Sequence, residues 1–510
     1  MSCSGLVIVR RAALVAVLAL VGGCQSDPPP PGVPSSVPPP AVTTTSAVPG
    51  AEPGTPGWQV TRPGLPHEIE GFADRVSALP GEDVRLFVST TAGEYTVTAY
   101  RMGAYQGSDA RQVWQSGVLP GVQQPPRVIE APTNTVVAPW APSLTLSTGT
   151  WPAGDYLLRL DTGSGSAQQF VPLTLRTASN KGRVVVVNAV TTWQAYNRWG
   201  GYSLYEAPDG KRANRSRAVS FDRPYQAAVM HGAGDFLFFE LPFLTFAERL
   251  GIDLGYATDV DLHADPSLLD GARAVVTLGH DEYWSTAMRA HVTAARDAGT
   301  NLAFLGGNEI FRHIRLAPTA NGPNRLEIGY KSFADDPMSK TDPTEATQDW
   351  RFPPHPRPES VLLGNIYQCN PVSADLVVAD ESSWLLTGIV HKGQKLPGLV
   401  GNEYANVDLR YPTPRPIQVL FRSPVTCRGK ADFADATYYS TASGAGVFSA
   451  GTQYWICALS AQCGHSGGDP VAHQAISAIT ERMLRAFAAG PAGATHPAVD
   501  NLAALGIAGG

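Results

Sequence analysis

The chain has 510 residues, 43% of them hydrophobic and 16% charged, with a formal net charge of −6. That length accommodates two or three domains. A sparse, slightly acidic charge set with no long basic run excludes nucleic acid as the main partner.

The N-terminus reads as an export signal. Arg10 and Arg11 precede the apolar run AALVAVLALV, which is too short to cross a membrane as a stable helix. The run ends in VGGC, small residues before Cys24, an arrangement that resembles a bacterial lipobox. Residues 1–24 are therefore expected to be a lipoprotein signal peptide. Lipidated Cys24 would anchor an exported protein to the membrane or envelope; plain secretion with an incidental cysteine is the alternative. Residues 25–57 are Pro, Ser, Thr and Val with almost no charge, a semi-extended tether that has no means of packing a core.

Residues 58–178 carry short, partly alternating runs such as VRLFVSTT, YTVTAYRMG and GDYLLRLDTG, bounded by Gly, Pro, Asp and Ser. Spaced strands without helices between them predict an all-β sandwich of immunoglobulin-like type, here without cysteine. From residue 179 to 490 the pattern changes. RVVVVNAV and ARAVVTLGH are continuous apolar runs, as strands covered on both faces require. LPFLTFAERLG reads as an amphipathic helix stopped by Gly251, and Ser285 as the cap of a helix ending at Gly299. TNLAFLGGNE, LPGLVGNEY and GAGVFSAGTQYW read as further strands, with a helix in HQAISAITERMLRAFAAG. Strands alternating with helices predict an open, mainly parallel α/β sheet. Residues 312–395, rich in Pro, Asp and Ser, read as an excursion over that sheet, and residues 491–510 as a flexible tail.

Beyond Cys3 and Cys24 the cysteines are Cys369, Cys427, Cys457 and Cys463. Four allow three pairings, and an oxidising compartment favours two disulfides. Closeness in the chain favours Cys457 with Cys463, leaving Cys369 with Cys427. Their spacing is not that of a tetrahedral zinc site.

Ligands in open α/β sheets bind beyond the carboxyl ends of the strands. Four predicted strands deliver polar groups there: TTWQAYNRWGGYSLY, then HDEY at 280–283, then Asn308 and Glu309, then Glu403 and Tyr404. Burying such groups without partners costs several kcal/mol each, on the order of 2–7. They therefore belong to a satisfied network or to a working site. Asp259, Asp261 and His263 in TDVDLH have metal-like spacing but read mainly as hydrogen-bond acceptors that fix a loop. Trp284 is expected to pack under the helix that follows it.

TTWQAYNRWGGYSLY, GHDEYW, FLGGNE and GNEY, in that order behind a β-sandwich, resemble the large (β) subunit of bacterial N,N-dimethylformamidase. The similarity extends from about residue 70 to 490 and includes EGFADRVSALPGEDV and GVFSAGTQYW. The resemblance implies a glutamine-amidotransferase-like α/β domain that hydrolyses a small amide at a mononuclear ferric ion. Two tyrosinates and one glutamate would hold the metal. Matched by motif, Glu282 takes the glutamate position and Tyr196 the first tyrosine. Tyr205 takes the second, with Tyr202 as competitor, because the loop between the two tyrosines is shorter here. His280, Asn308 and Glu403 match an active-site histidine, a pocket asparagine and a nearby or general-base glutamate.

An all-oxygen anionic ligand set suits a hard cation such as ferric iron. The expected function is amide hydrolysis, on a small formamide or on an amide of the envelope. A non-catalytic envelope module using the aromatic cleft for glycan or peptide is the rival. A small partner subunit or self-association stays open.

Overall fold

The computed structural model describes residues 52–226, 232–460 and 469–507. The signal-like segment, Cys24, most of the tether, and Cys463 lie outside the described residues. The chain is mostly β-strand, with several sheets, few helices and, among the described residues, no closed barrel.

The first strands form two sheets around one core. Ile69–Ala73, Asp83–Thr90 and Leu144–Ser147 pair antiparallel. The second sheet runs Ser77–Ala78, Gln168–Leu175, Gly154–Thr162, Glu94–Tyr105 and Ser108–Gln115. Alternating residues from both sheets, among them Leu86, Val88, Val97, Leu158 and Leu173, meet in one buried cluster with Trp151. Period-two alternation places one face of each strand inward.

The central sheet has seven strands. Leu254–Thr258, Val184–Asn188, Ala274–Gly279, Asn301–Gly306 and Gly446–Ser449 lie parallel in that order. Lys430–Ser440 and Ile417–Cys427 extend it antiparallel. Val184–Asn188, Ala274–Gly279 and Asn301–Gly306 are buried along their whole length, as the continuous apolar runs require. The expected helices are present as Leu241–Arg249, Thr286–Asp297 and Pro470–Ala489. Ser285 caps the second of these by accepting the Met288 N–H at 3.2 Å.

Two expectations are corrected. LPGLVGNEY is not a strand of the parallel sheet. It belongs to Lys395–Asn406, which pairs antiparallel with Ile366–Val377 in a separate two-stranded ribbon. Within residues 312–395, Arg312–Thr319 and Gly322–Ile328 form a hairpin in a further four-stranded sheet, apart from the central one. Residues 492–507 pack instead of trailing: Ala492 and Leu502 are buried and Asp500 pairs with Arg415.

Cys369 and Cys427 are disulfide-bonded, as the sequence expects. Cys457 is disulfide-bonded as well.

Candidate active site

The strand Val184–Asn188 runs into the helix Val190–Tyr196, whose start is fixed by Asp259. That carboxylate accepts the Val190 N–H at 3.0 Å, the Thr191 N–H at 3.3 Å and the Thr191 hydroxyl. Tyr196, the last residue of the helix, is thereby aimed past the sheet's carboxyl edge. Gly200 and Gly201 (φ 78° and 91°) then turn the chain back through a left-handed path that other residues resist. The Leu204 N–H closes the return on the Ala195 carbonyl at 3.0 Å, and Tyr205 arrives stacked on Tyr196 with ring centres 4.5 Å apart. Glycines are what let so short a loop bring the second tyrosine home. Tyr202 turns elsewhere, against the cluster of Phe72, Phe87 and Trp199.

Glu282 meets both tyrosines. It is 1% exposed, and its backbone N–H is held by Thr192 Oγ1 at 3.0 Å. Its Oε2 accepts from Tyr196 Oη at 2.8 Å and Tyr205 Oη at 2.9 Å, and the two hydroxyls are 3.0 Å apart. Tyr283 donates to Tyr205 at 2.6 Å. Arg312 Nε donates to Glu282 Oε1 at 3.2 Å, and the same guanidinium pairs with Asp349. Lys331 Nζ lies 3.1 Å above the centre of the Tyr205 ring, shielded from solvent and without a hydrogen-bond partner.

His280 and Glu403 border this triangle. His280 Nε2 lies 3.5 Å from Glu282 Oε2 and 3.9 Å from Glu403 Oε2. Both His280 Nε2 and Glu403 Oε2 are buried and lack a hydrogen-bond partner. Glu403 comes from the ribbon. Its Oε1 accepts from Asn370 Nδ2 at 2.6 Å. Arg428 donates to the Asn370 side-chain oxygen at 3.2 Å and to its backbone carbonyl at 3.0 Å. Because a guanidinium only donates, the Asn370 oxygen must face Arg428 and its NH₂ must face Glu403. The adjacent Cys369–Cys427 disulfide ties these two segments together. Asn308 also favours the Glu403 carboxylate. It sits at φ 60°, and Ile310 at φ 54° is rarer still for a β-branched residue. Such strain collects at functional sites. The glycines before it serve close approach: a Cβ on Gly306 would strike Glu309 Oε1 and the Gly279 carbonyl.

The electrostatics separate these groups. Burial, then the Glu282 charge, pushes the Tyr196 and Tyr205 phenols well above their ordinary range. Burial pushes Glu282 up as well, but Arg312, His280 and Lys331 outweigh it and hold the carboxyl below its usual value. Glu403 is raised to about 8 by burial and the nearby Glu282 charge. Burial lowers His280, opposed by Glu282. At neutral pH the site thus holds an anionic Glu282, a neutral imidazole, and a carboxyl able to take or give a proton.

Other sequence candidates fall outside this cluster. Asp261 forms a reciprocal capping box with Thr258, and His263 Nδ1 meets Ser285 Oγ at 2.8 Å. The TDVDLH carboxylates do fix structure, but at helix starts and not in a loop: Asp261 caps the short helix Asp259–Ala264, and Asp259 holds the start of Val190–Tyr196. Among the described residues no cluster of three or more His, Cys, Asp or Glu is arranged to hold a metal ion. Trp284 packs under its helix with Met288 and Val292. Trp193 and Trp199 are buried, which leaves neither as a stacking platform for sugar. Arg312, Lys331 and Asn370 were not singled out from the sequence.

Fold and site together define a β-rich protein that gathers carboxyl, imidazole and phenol groups beyond the ends of the strands of a mainly parallel sheet. The family model described as "N,N-dimethylformamidase beta subunit-like, C-terminal" matches residues 96–467. The chain belongs to that family, which points to a dimethylformamidase-like hydrolase of amides. No curated protein matches it.

Proposed function

We propose that the protein hydrolyses the C–N bond of an amide with the help of a metal ion held by Tyr196, Tyr205 and Glu282. The observation that carries this reading is the triangle of three oxygens 2.8–3.0 Å apart, bordered by two buried polar atoms that have no other partner. The donor set suits a hard cation such as Fe³⁺, as does its position beyond the parallel strands. A bound ferric ion would supply Lewis acidity toward water and the amide carbonyl.

The chain's own residues perform the proton work. Glu403 takes the proton from the attacking water as the new C–O bond forms, and returns it to nitrogen as the C–N bond breaks. The products are a carboxylic acid and an amine. A carboxyl raised to about 8 exchanges protons readily near neutral pH. Asn370 holds one oxygen of Glu403 and leaves the other facing His280. Neutral His280 separates the two carboxylates and can orient the water between them. Asn308 fixes Glu403 from the loop after Asn301–Gly306.

The same reading takes the sheet as glutamine-amidotransferase-like and the preceding strands as immunoglobulin-like. It places the protein outside the cytoplasm, anchored through Cys24.

Elemental analysis tests the proposal directly. Purified protein should carry about one iron per chain and absorb visible light through tyrosinate-to-iron charge transfer. Glu282→Gln should lose metal, colour and amidase activity together. A colourless, folded, metal-free protein after iron supplementation would defeat the assignment.

A further inference from the structure

Most cations around the site have a carboxylate of their own. Arg312 faces Glu282 and Asp349, Arg315 faces Asp336, Arg325 faces Asp222 and Arg351 faces Glu359. The segment KRANRSR, residues 211–217, breaks this pattern in a chain whose net charge is −6. It sets four cations in seven residues. None of them, and not Lys331 either, forms an ion pair with a described residue.

Arg215 and Arg217 spend their guanidinium N–H groups on backbone carbonyls of Arg212, Tyr330, Arg215 and Ala213, which shapes the loop. Arg215 Nε stays buried without a partner. Asp209, the nearest acid in the chain, is turned to the Lys211 N–H at 3.0 Å and the Asn214 amide at 2.6 Å. Lys211 and Arg212 therefore stand exposed and uncommitted. Arg212 Cζ is 5.6 Å from the centre of the Tyr205 ring, the same ring that Lys331 covers. Tyr196 occupies one face of Tyr205, which puts Lys331 Nζ on the other.

Like charges gathered without counter-ions raise the free energy of a fold by mutual repulsion. Here the two exposed cations lie beside Tyr205, with Arg212 Cζ 5.6 Å from its ring centre. We propose that Lys211 and Arg212 form an anion subsite next to Tyr205, and that the amide processed at the site carries a carboxylate. The ring centre is 5.6 Å from Arg212, and the Tyr205 hydroxyl is 2.9 Å from Glu282. That reach corresponds to at most about three extended residues. The substrate class is thus a short peptide-like amide whose carboxylate lies one to three residues from the scissile bond. This specificity rests on the hydrolase reading above, while the subsite itself stands on the charge arrangement alone.

Calorimetric binding to the full-length protein tests it, with N-acetylglycylglycine as the acid probe and its C-terminal amide as the neutral one. The acid should bind roughly ten-fold more tightly, as one charge-assisted contact provides. Arg212→Gln and Lys211→Gln should each reduce that ratio and Arg212→Lys should largely keep it. Both side chains are exposed, so the variants should fold. Equal affinity of the two probes, or a ratio unchanged in Arg212→Gln, overturns the subsite. Hydrolysis of the same probes is recorded separately. A binding preference with no turnover upholds the subsite and defeats the hydrolase reading; equal turnover without preference does the reverse.

Discussion

Replacing Glu309 by glutamine should flatten the pH dependence of stability. Glu309 is 2% exposed, accepts from the Thr277 hydroxyl, and keeps its other oxygen buried without a partner. Burial, opposed by Thr277, raises its carboxyl from an ordinary 4.5 to about 8. Between those values the folded chain retains a proton that the unfolded chain has released. Stability from this group is therefore complete below 4.5 and is lost as pH rises towards 8, by about 1.4 kcal/mol per pH unit. Glutamine keeps the shape and the Thr277 contact and has no such proton. The stability of Glu309→Gln minus that of wild type should grow by roughly 2.7 kcal/mol between pH 5.5 and 7.5. Asp155, Asp259 and Asp435 are also raised, to about 6, 7 and 6, but their effects are common to both proteins and cancel. Urea melts at pH 5.5, 6.5 and 7.5 measure the difference. Parallel curves would show that Glu309 is ionised in the fold and refute the reasoning.

Asn370→Ala removes a donor to the charged form of Glu403, so its carboxyl should rise further above about 8. If Glu403 is the base, the acid-side limb of the kcat profile should move up by about one pH unit, with Asn370→Ser partly restoring it. Removing the Cys369–Cys427 bridge, which spans a sequence separation of 58, should cost about 4 kcal/mol on chain-entropy grounds. Denaturant unfolding of the double alanine variant would check this, and an unchanged midpoint would count against it. Asp222→Ala leaves Arg325 buried without its ion-pair partner and should cost about 3–5 kcal/mol in the same assay. Tyr205→Phe should weaken the expected visible absorbance while Tyr202→Phe keeps it, because of these two tyrosines Tyr205 reaches Glu282 and Tyr202 packs against Phe72 and Phe87.

The central strands were legible because burial on both faces forces long apolar runs, and the helix after Ser285 because its cap is written locally. The ribbon was not, since an apolar run such as GLVG reads alike in a parallel sheet and in an antiparallel pair. Partner choice is a tertiary property. The tyrosine–glutamate cluster came from matched motifs, and Tyr205 could be preferred over Tyr202 only by that match. Lys331 and Arg312 left no trace, because nothing in IGYKSF or IFRHI distinguishes a buried cation from a solvated one. Asn370 was hidden for a similar reason: its role depends on the disulfide and Arg428 arriving from another strand.

The ribbon that brings Glu403 has a consequence for how such a site can change over time. Tyr196, Tyr205 and Glu282 stand on the helix and loops that leave the central parallel strands, whereas the carboxyl beside them is delivered by a separate, covalently fastened arm. Substitutions along that arm can shift the reach and proton affinity of Glu403 without disturbing the three oxygens. Adaptation to a new amide can proceed on one module while the other is conserved.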